Sequence, residues 1–460
     1  MNELAERFRR AMLNLRPATN LLAEPASLEA RMRQYGVPGV SIAVLMDNRA
    51  QSFSFGLKEA GQAGAVGPDT MFQAASISKP VFALAVMRLV ERGKLDLDAD
   101  IRHYLGSDLV RASADWQPHL TLRQLLSHRA GLTVHGFPGY PAGAALPSLV
   151  QVLRGEEPAN TKPVVVDIIP GQQFRYSGGG TTLAQLIVES VLGKQLPQIM
   201  DELILHPLGL KQSTYAQPLP ARFEQHAASG HLSSGQVVVG KWHTYPEAAA
   251  AGLWTTPSDL VRLGNEVQAS LRGESKLFSQ TMIEEMLTPN LTDFVPMADA
   301  IGIGFFLNGT GSCARFLHGG SNHGYLSRLT MYKQSSQGAA IMVNSDRGRG
   351  LICEIEMAIA AEFGWAGYLP LPGQQLAGVY RSRAGHQFEI RHDAGSLALQ
   401  VMGQPPLQLA AGTAEHQFSV IETGAAVHFQ LDARGEVGGL RLMQPGRTIE
   451  AERERAGIRN

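Results

Sequence analysis

The chain has 460 residues, 44% of them hydrophobic and 18% charged, with 40 Lys and Arg against 41 Asp and Glu for a formal charge of -1. That balance describes a globular chain with a sizeable core and excludes a disordered, collagenous or supercharged one. It also lacks the basic excess on which binding to nucleic acid or to an anionic membrane surface rests, so neither is an expected partner.

Residues 1–23 contain Glu3, Glu6, Arg7, Arg9, Arg10 and Arg16 and no long apolar run, so no secretory signal is read there. Nor does any stretch reach the roughly 18 uninterrupted apolar residues that span a bilayer, and the expected location is cytoplasmic. A helix is expected at 27–35, followed by an alternating run at 39–46 and a short strand partner at 51–56. Between 76 and 93 the residues Val81, Leu84, Ala85, Leu89 and Val90 recur at helical spacing and Gly93 supplies a stop, which predicts a core-facing helix. Further helices are expected at 122–128, 182–192, 258–271 and 351–363. Between the last two, 300–306, 313–317, 325–332 and 339–344 read as strands. Strands from both ends of this region are expected to share one sheet flanked by helices.

After Gly364 the texture changes. Residues 368–375 are rich in Pro and Gly, and 387–391, 397–401, 417–421, 427–431 and 440–443 read as short strands. Turns are expected at Asp393-Ala394-Gly395, Thr423-Gly424 and Arg434-Gly435. This spacing fits a small antiparallel barrel or sandwich, so the expected organisation is one domain at 1–368 and an all-β domain at 369–460. Cys313 and Cys353 show neither CxxC nor Cys/His spacing, so they predict no disulfide framework and no zinc site and read as buried small hydrophobes.

Three segments carry chemistry. The first is Ser76-Ile77-Ser78-Lys79, at the start of the expected helix. Positions i and i+3 share a helix face, so the Ser76 hydroxyl and the Lys79 amine approach each other, and burial would lower the lysine pKa enough to make it a base. The helix N-terminus offers N–H groups to a developing oxyanion. Chance alone places about 0.6 SxxK matches in a chain of this composition, so the tetrad needs support from elsewhere, and the alternative is a helix cap with a solvated lysine. The second segment is Arg175-Tyr176-Ser177-Gly178-Gly179-Gly180, read as a Gly-rich loop before a helix near Thr182. A phenol beside a cation favours phenolate and suits general acid/base work; nucleotide binding is disfavoured, because no Lys-Ser or Lys-Thr follows and the GxGxxG spacing fails. The third is His318-Gly319-Gly320-Ser321, read as the end of a strand or a tight turn. Its glycines let a substrate backbone approach closely, and the Ser321 N–H is a candidate oxyanion donor. His318 and His323 find no carboxylate at ligand spacing, so no metal is expected. His128 reads as a helix-end or loop anchor and Trp254 as a packing residue, while the loop 135–140 is placed beside the site.

In order and spacing these segments resemble the serine β-lactamase-like superfamily, in the branch of class C β-lactamases, D-aminopeptidases, penicillin-binding proteins and family VIII carboxylesterases. The likeness covers roughly 26–365. It takes in Tyr35-Gly36-Val37-Pro38-Gly39-Val40-Ser41, Phe72-Gln73-Ala74-Ala75 before the tetrad, Gly93-Lys94-Leu95-Asp96-Leu97-Asp98, Leu125-Leu126-Ser127-His128-Arg129-Ala130-Gly131-Leu132 and Ala251-Gly252-Leu253-Trp254-Thr255-Thr256.

The resemblance implies a β-lactamase/transpeptidase-like α/β (α+β) fold, with an antiparallel sheet flanked by helices and no cofactor. It implies Ser76 as the acylated nucleophile, Lys79 as its proton acceptor, Tyr176 as the proton relay, and backbone N–H groups of Ser76 and Ser321 as the oxyanion hole. His318 stands where class C β-lactamases carry the lysine of Lys-Thr-Gly, and an unperturbed imidazole there would titrate near physiological pH. Gly178 stands where the family's Tyr-x-Asn motif has its amide, and with Gly319 and Gly320 it is expected at the substrate. Loss of that amide makes small esters the expected substrates ahead of peptides and β-lactams; the alternatives are a D-aminopeptidase or penicillin-binding-type peptidase, a weak β-lactamase, or a non-catalytic binding protein. The C-terminal region resembles the lipocalin-like accessory domains of related hydrolases, with a role in packing, in homo-oligomer assembly or in restricting substrate size.

Overall fold

Along Gly39–Met46, Val40, Ile42 and Val44 enter one hydrophobic cluster while Ala43 and Leu45 enter another, and all five are buried. A strand with two buried faces needs a covering layer on each. The computed structural model supplies both layers; it describes residues 3–17, 23–106, 109, 111–112, 116–289, 295, 298–368, 373–393, 396–411, 417–431, 436–444 and 447–454. The central sheet consists of β1 (Gly39–Met46), β2 (Arg49–Gly56), β3 (Ala300–Ile301), β4 (Phe306–Asn308), β5 (Arg315–Asn322), β6 (Tyr325–Tyr332) and β7 (Gln337–Val343). Its order is β2-β1-β7-β6-β5-β4-β3, with every neighbouring pair antiparallel. N- and C-terminal strands therefore share one sheet, as the sequence predicts.

The helices that position the site are α1 (Glu3–Met12), α2 (Leu28–Tyr35), α3 (Ser78–Glu91), α4 (Gly178–Leu192), α5 (Ala248–Ala251), α6 (Pro257–Leu271) and α7 (Arg349–Phe363). Helices α1, α2 and α7 cover the face bearing Val40 and Ile42, and the buried Glu354 of α7 ties α2 down by accepting from Arg31 Nε at 2.6 Å and from the Tyr35 hydroxyl at 2.7 Å. The opposite face carries the larger cluster, built around α3, α4 and α6.

Four expectations on this region need correction. Residues 300–306 form not one strand but the β3–β4 hairpin, bent at Gly304, whose φ of +82° a residue with a side chain rarely adopts. His318 to Ser321 lie inside β5, and the turn follows at His323-Gly324. The glycine triplet is the first turn of α4 rather than a loop before it. Helix α1 was not expected; its charges hide a Leu4, Phe8, Ala11, Met12 stripe that is buried. Both cysteines are free, and they are half-buried rather than buried as expected.

The C-terminal strands Gly378–Ser382, Gln387–Asp393, Ser396–Val401, Leu407–Ala411, Gln417–Val420, Ala426–Leu431, Val437–Gln444 and Arg447–Arg453 close into an eight-stranded antiparallel barrel filled by Tyr380, Phe388, Phe418 and Phe429. Sequence reading found five of the eight. Residues 369–372 and the turn positions 394–395 and 434–435 lie outside the described residues. No helix among the described residues is long and apolar enough to cross a membrane.

Candidate active site

The chain entering α3 is pinned from three sides. Phe72–Gln73 pairs with Trp254–Thr255, the Ala74 N–H donates to Leu253 O at 2.8 Å, and the Ser327 hydroxyl of β6 donates to Ala74 O at 2.8 Å. Ser78 completes the turn: its hydroxyl donates to Ala75 O at 2.5 Å and accepts the Leu253 N–H at 2.9 Å. So constrained, Ala75 adopts φ +50°, a conformation unfavourable for a residue with a Cβ, and Ser76 is held in a single 3-10 turn ahead of α3.

Lys79 follows one turn later. Its Nζ donates to Ser76 Oγ at 3.0 Å and to Ala250 O of α5 at 2.7 Å. No carboxylate among the described residues offsets its burial, and desolvation pushes the amine down to about 7. Near neutral pH an appreciable fraction of Lys79 is thus a free base beside a hydroxyl.

Tyr176 stands on the other side of Ser76, in hydrogen-bond contact with it, with its ring centroid 5.0 Å from Lys79 Nζ. Burial outweighs the Ser76 contact and holds the phenol well above its ordinary range, so the phenolate expected from a neighbouring lysine is overridden. The ring lies between His128 and His135 at 4.2 and 4.8 Å and runs nearly parallel to Phe306 at 6.2 Å.

Strand β5 forms the facing wall. Pairing with β4 stops at Leu317, so from His318 to Asn322 the outer edge of β5 has no strand partner among the described residues. Gly320 lies directly against the turn that carries Ser76: a Cβ there would sit 2.1 Å from Ala74 O and 2.2 Å from Ser327 Oγ. His318 Nδ1 contacts Gly319 O at 2.6 Å, which makes Nδ1 the protonated nitrogen and leaves Nε2 buried without a hydrogen-bond partner among the described residues. Burial, then Lys79, drives this imidazole down to about 3, so it does not titrate near physiological pH as its sequence context suggested.

These groups bound a cavity of about 280 Å³ that reaches Ser76, His135, Tyr176, Phe306, His318, Gly319, Gly320 and Ser321. It continues past Gly319 to Leu326, Arg328, Arg349 and Ile352, which sequence reading did not single out. Arg328 faces Gly319 in the β5–β6 register, and because Gly319 has no side chain the arginine opens into the cavity. The Arg328 guanidinium forms an ion pair with Glu356 at 3.8 Å, and the side chain of neither Arg328 nor Arg349 makes a hydrogen bond to another described residue. The signal available in sequence was the β6 alternation, which places Leu326, Arg328 and Thr330 on one face.

Gly178 is not among the residues lining the cavity. Where a side chain would emerge, Phe137 Cε2 lies 2.9 Å and His135 O 3.1 Å from the ideal Cβ position, and Gly179 is fenced in the same way by Val164 at 2.7 Å. The helix-terminal N–H groups are also occupied: Gly178 donates to His135 O, Gly179 to Val134 O and Gly180 to Ser177 Oγ, at 3.0, 3.1 and 3.0 Å. The glycines therefore admit the 133–137 segment against the helix rather than cradle a phosphate. Gly178→Asn is expected to lose about 1–3 kcal/mol of stability and to lower turnover, and Phe137→Ala is expected to relieve the loss; thermal unfolding of the single and double variants checks this.

Residues 26–362 match the Beta-lactamase family. The chain belongs to that family. It has the serine β-lactamase fold, with penicillin-binding-protein and esterase relatives. It is 29% identical over 43% of its length to esterase EstB of Burkholderia gladioli, and that match spans about half, 51%, of the esterase. To penicillin-binding protein 4 of Amycolatopsis lactamdurans it is 25% identical over 69% of this chain and 83% of the relative. Among solved structures, SurE with D-Leu superposes with a TM-score of 0.58 at 26% identity, over 93% of this chain and 97% of that one. That superposition extends beyond the family domain into the barrel.

Proposed function

We propose that this protein hydrolyses small esters through a covalent acyl-enzyme on Ser76. The observation that carries the reading is the Lys79 amine, depressed to about 7 and 3.0 Å from the Ser76 hydroxyl at the cavity wall. Ser76 Oγ attacks the ester carbonyl and its proton passes to Lys79 Nζ. The oxyanion is received by the N–H groups of Ser76 and Ser321. Collapse of the intermediate breaks the bond to the alcohol, which leaves with a proton delivered through Tyr176. Water then attacks the acyl-Ser76 ester by the reverse proton path and releases the acid. His318, neutral and with an unpartnered Nε2 acceptor, lines the cavity and receives a substrate N–H or O–H on substrate binding; Gly319 and Gly320 let the substrate lie along β5, and Gly178 contributes the tight seat of the 135–137 segment.

Arg349 adds a preference for substrates bearing a carboxylate beyond the scissile bond, since its guanidinium lines the cavity without a side-chain hydrogen bond among the described residues, beside Arg328, which is ion-paired with Glu356 at 3.8 Å. Paired p-nitrophenyl esters, one neutral and one carrying a carboxylate, test this. Arg349→Leu is expected to lower kcat/KM for the anionic ester about 10-fold or more and to leave the neutral ester unchanged; equal effects on both would remove the preference. A second reading, cleavage of D-amino-acid amides or peptides, is favoured by the free edge of β5, on which an extended backbone can pair. Comparing these amides with the esters and a chromogenic cephalosporin ranks the readings. The boundary between the hydrolase domain and the barrel belongs at 368/369, with a supporting role for the barrel in packing or assembly.

A further inference from the structure

The residue that touches the tyrosine segment at most points is His128, which the mechanism above does not use. Its carbonyl accepts the Arg175 N–H at 2.8 Å and its Nδ1 accepts the Ser177 N–H at 3.2 Å, so it holds the backbone on both sides of Tyr176. Its ring packs on Tyr176 at 4.2 Å with an interplanar angle of 33°, and Phe174 meets its edge at 5.9 Å. Four consecutive residues, 174 to 177, are thereby fixed by one side chain and its own carbonyl. His128 takes up φ +58° to do this, a conformation in which Asn, Asp and His are enriched and most residues are strained.

The nitrogen chemistry makes the contact specific. With Nδ1 accepting a backbone N–H, the ring proton must sit on Nε2. That nitrogen is buried and has no hydrogen-bond partner among the described residues. An orphaned buried N–H is a cost that a residue chosen only for packing, such as Leu or Phe, would avoid. What the imidazole supplies in return is the acceptor at Nδ1. The groups facing it are Lys79 from α3, His318 from β5 and His135 from the neighbouring segment, and each of them, like burial, opposes a positive charge on the ring. A protonated imidazole would also lose its hold on Ser177, because both nitrogens would then be donors.

We propose that His128 is a positioning residue that sets Tyr176 against Ser76, and that it does so only as the neutral Nε2–H tautomer. This inference rests on the reading of Tyr176 as the proton carrier. The test is a double-mutant cycle on a short-chain p-nitrophenyl ester, with kcat, KM and thermal unfolding measured for the wild type, Ser76→Ala, Tyr176→Phe, His128→Gln, His128→Asn and the two His128 changes combined with Tyr176→Phe. His128→Gln is expected to lower kcat about 10-fold or more with KM within about twofold. His128→Asn, whose amide oxygen stands near the place of Nδ1 and whose backbone tolerates positive φ, is expected to stay folded and within about threefold of the wild type. Once the Tyr176 hydroxyl is gone, neither change is expected to cost more than about twofold further. Losses of equal size with and without that hydroxyl, or a change confined to KM, would overturn the inference while leaving the hydrolase reading intact. Absence of any Ser76-dependent turnover in the wild type would overturn both.

Discussion

Ser76→Ala and Lys79→Ala are each expected to lower ester turnover on the order of 10³-fold or more, with folding intact. The geometry asks one amine to take the hydroxyl proton, and 3.0 Å separates the two. Only the neutral amine can do so. Since burial brings Lys79 down to about 7, kcat/KM should rise tenfold per pH unit well below that value and level off above it. Three of the groups around Ser76 do not titrate in this window: His318 is pushed down to about 3, His128 lies well below its ordinary value, and Tyr176 is raised. Glu247 is a competing source of such a limb, because burial lifts its carboxyl to about 7 and both oxygens lack hydrogen-bond partners among the described residues. Glu247→Gln separates the two: the acid limb should survive it unchanged. Lys79→Arg should not rescue Lys79→Ala, because a guanidinium stays protonated throughout. Near-normal turnover in Ser76→Ala or Lys79→Ala would remove the role assigned to that residue.

The family was legible because its signals are local. An i, i+3 Ser–Lys pair opening a helix, a tyrosine ahead of a helix and a glycine-rich strand near the last helix can each be read along the chain, and their order supplied the rest. Helix α3 and the two-ended sheet followed from apolar periodicity for the same reason. What escaped was set by contacts across the fold. The Gly178 amide loss reads in sequence as a missing recognition group, but the position is filled by Phe137, some 41 residues away in sequence. The His318 titration failed because burial in the fold, then Lys79, suppresses it, and neither is visible from its neighbours in sequence. His128 looked like a loop anchor, and its partners at 175 and 177 become visible only when the two segments meet. The barrel strands Gly378–Ser382 and Arg447–Arg453 carry too few apolar residues to stand out singly, and Leu407–Ala411 is only five residues long; all three are strands because closure pairs them on both sides.

Gly320→Ala is expected to be the most damaging single-methyl change in the site, and Gly319→Ala beside it the most easily borne. Both glycines sit in β5 and both line the cavity, so composition and position along the strand do not separate them. Their faces do. A Cβ added at Gly320 would fall 2.1 Å from the Ala74 carbonyl oxygen and 2.2 Å from Ser327 Oγ, whereas at Gly319 the nearest atom is Ser327 O at 3.7 Å. The hydroxyl can rotate away, but only by surrendering its 2.8 Å bond to Ala74 O, and the carbonyl belongs to the turn that presents Ser76. Either the strand or the Ser76 turn must therefore move. Overpacking of this kind costs about 1–3 kcal/mol of stability, and a displacement of the turn by about an ångström costs on the order of 10²-fold in turnover. Thermal unfolding and kcat/KM measured on the two variants side by side check the claim. If Gly320→Ala unfolds and turns over like the wild type, β5 does not press on the Ser76 turn, and the proposed role of the Ser321 N–H as an oxyanion donor loses its support from that contact.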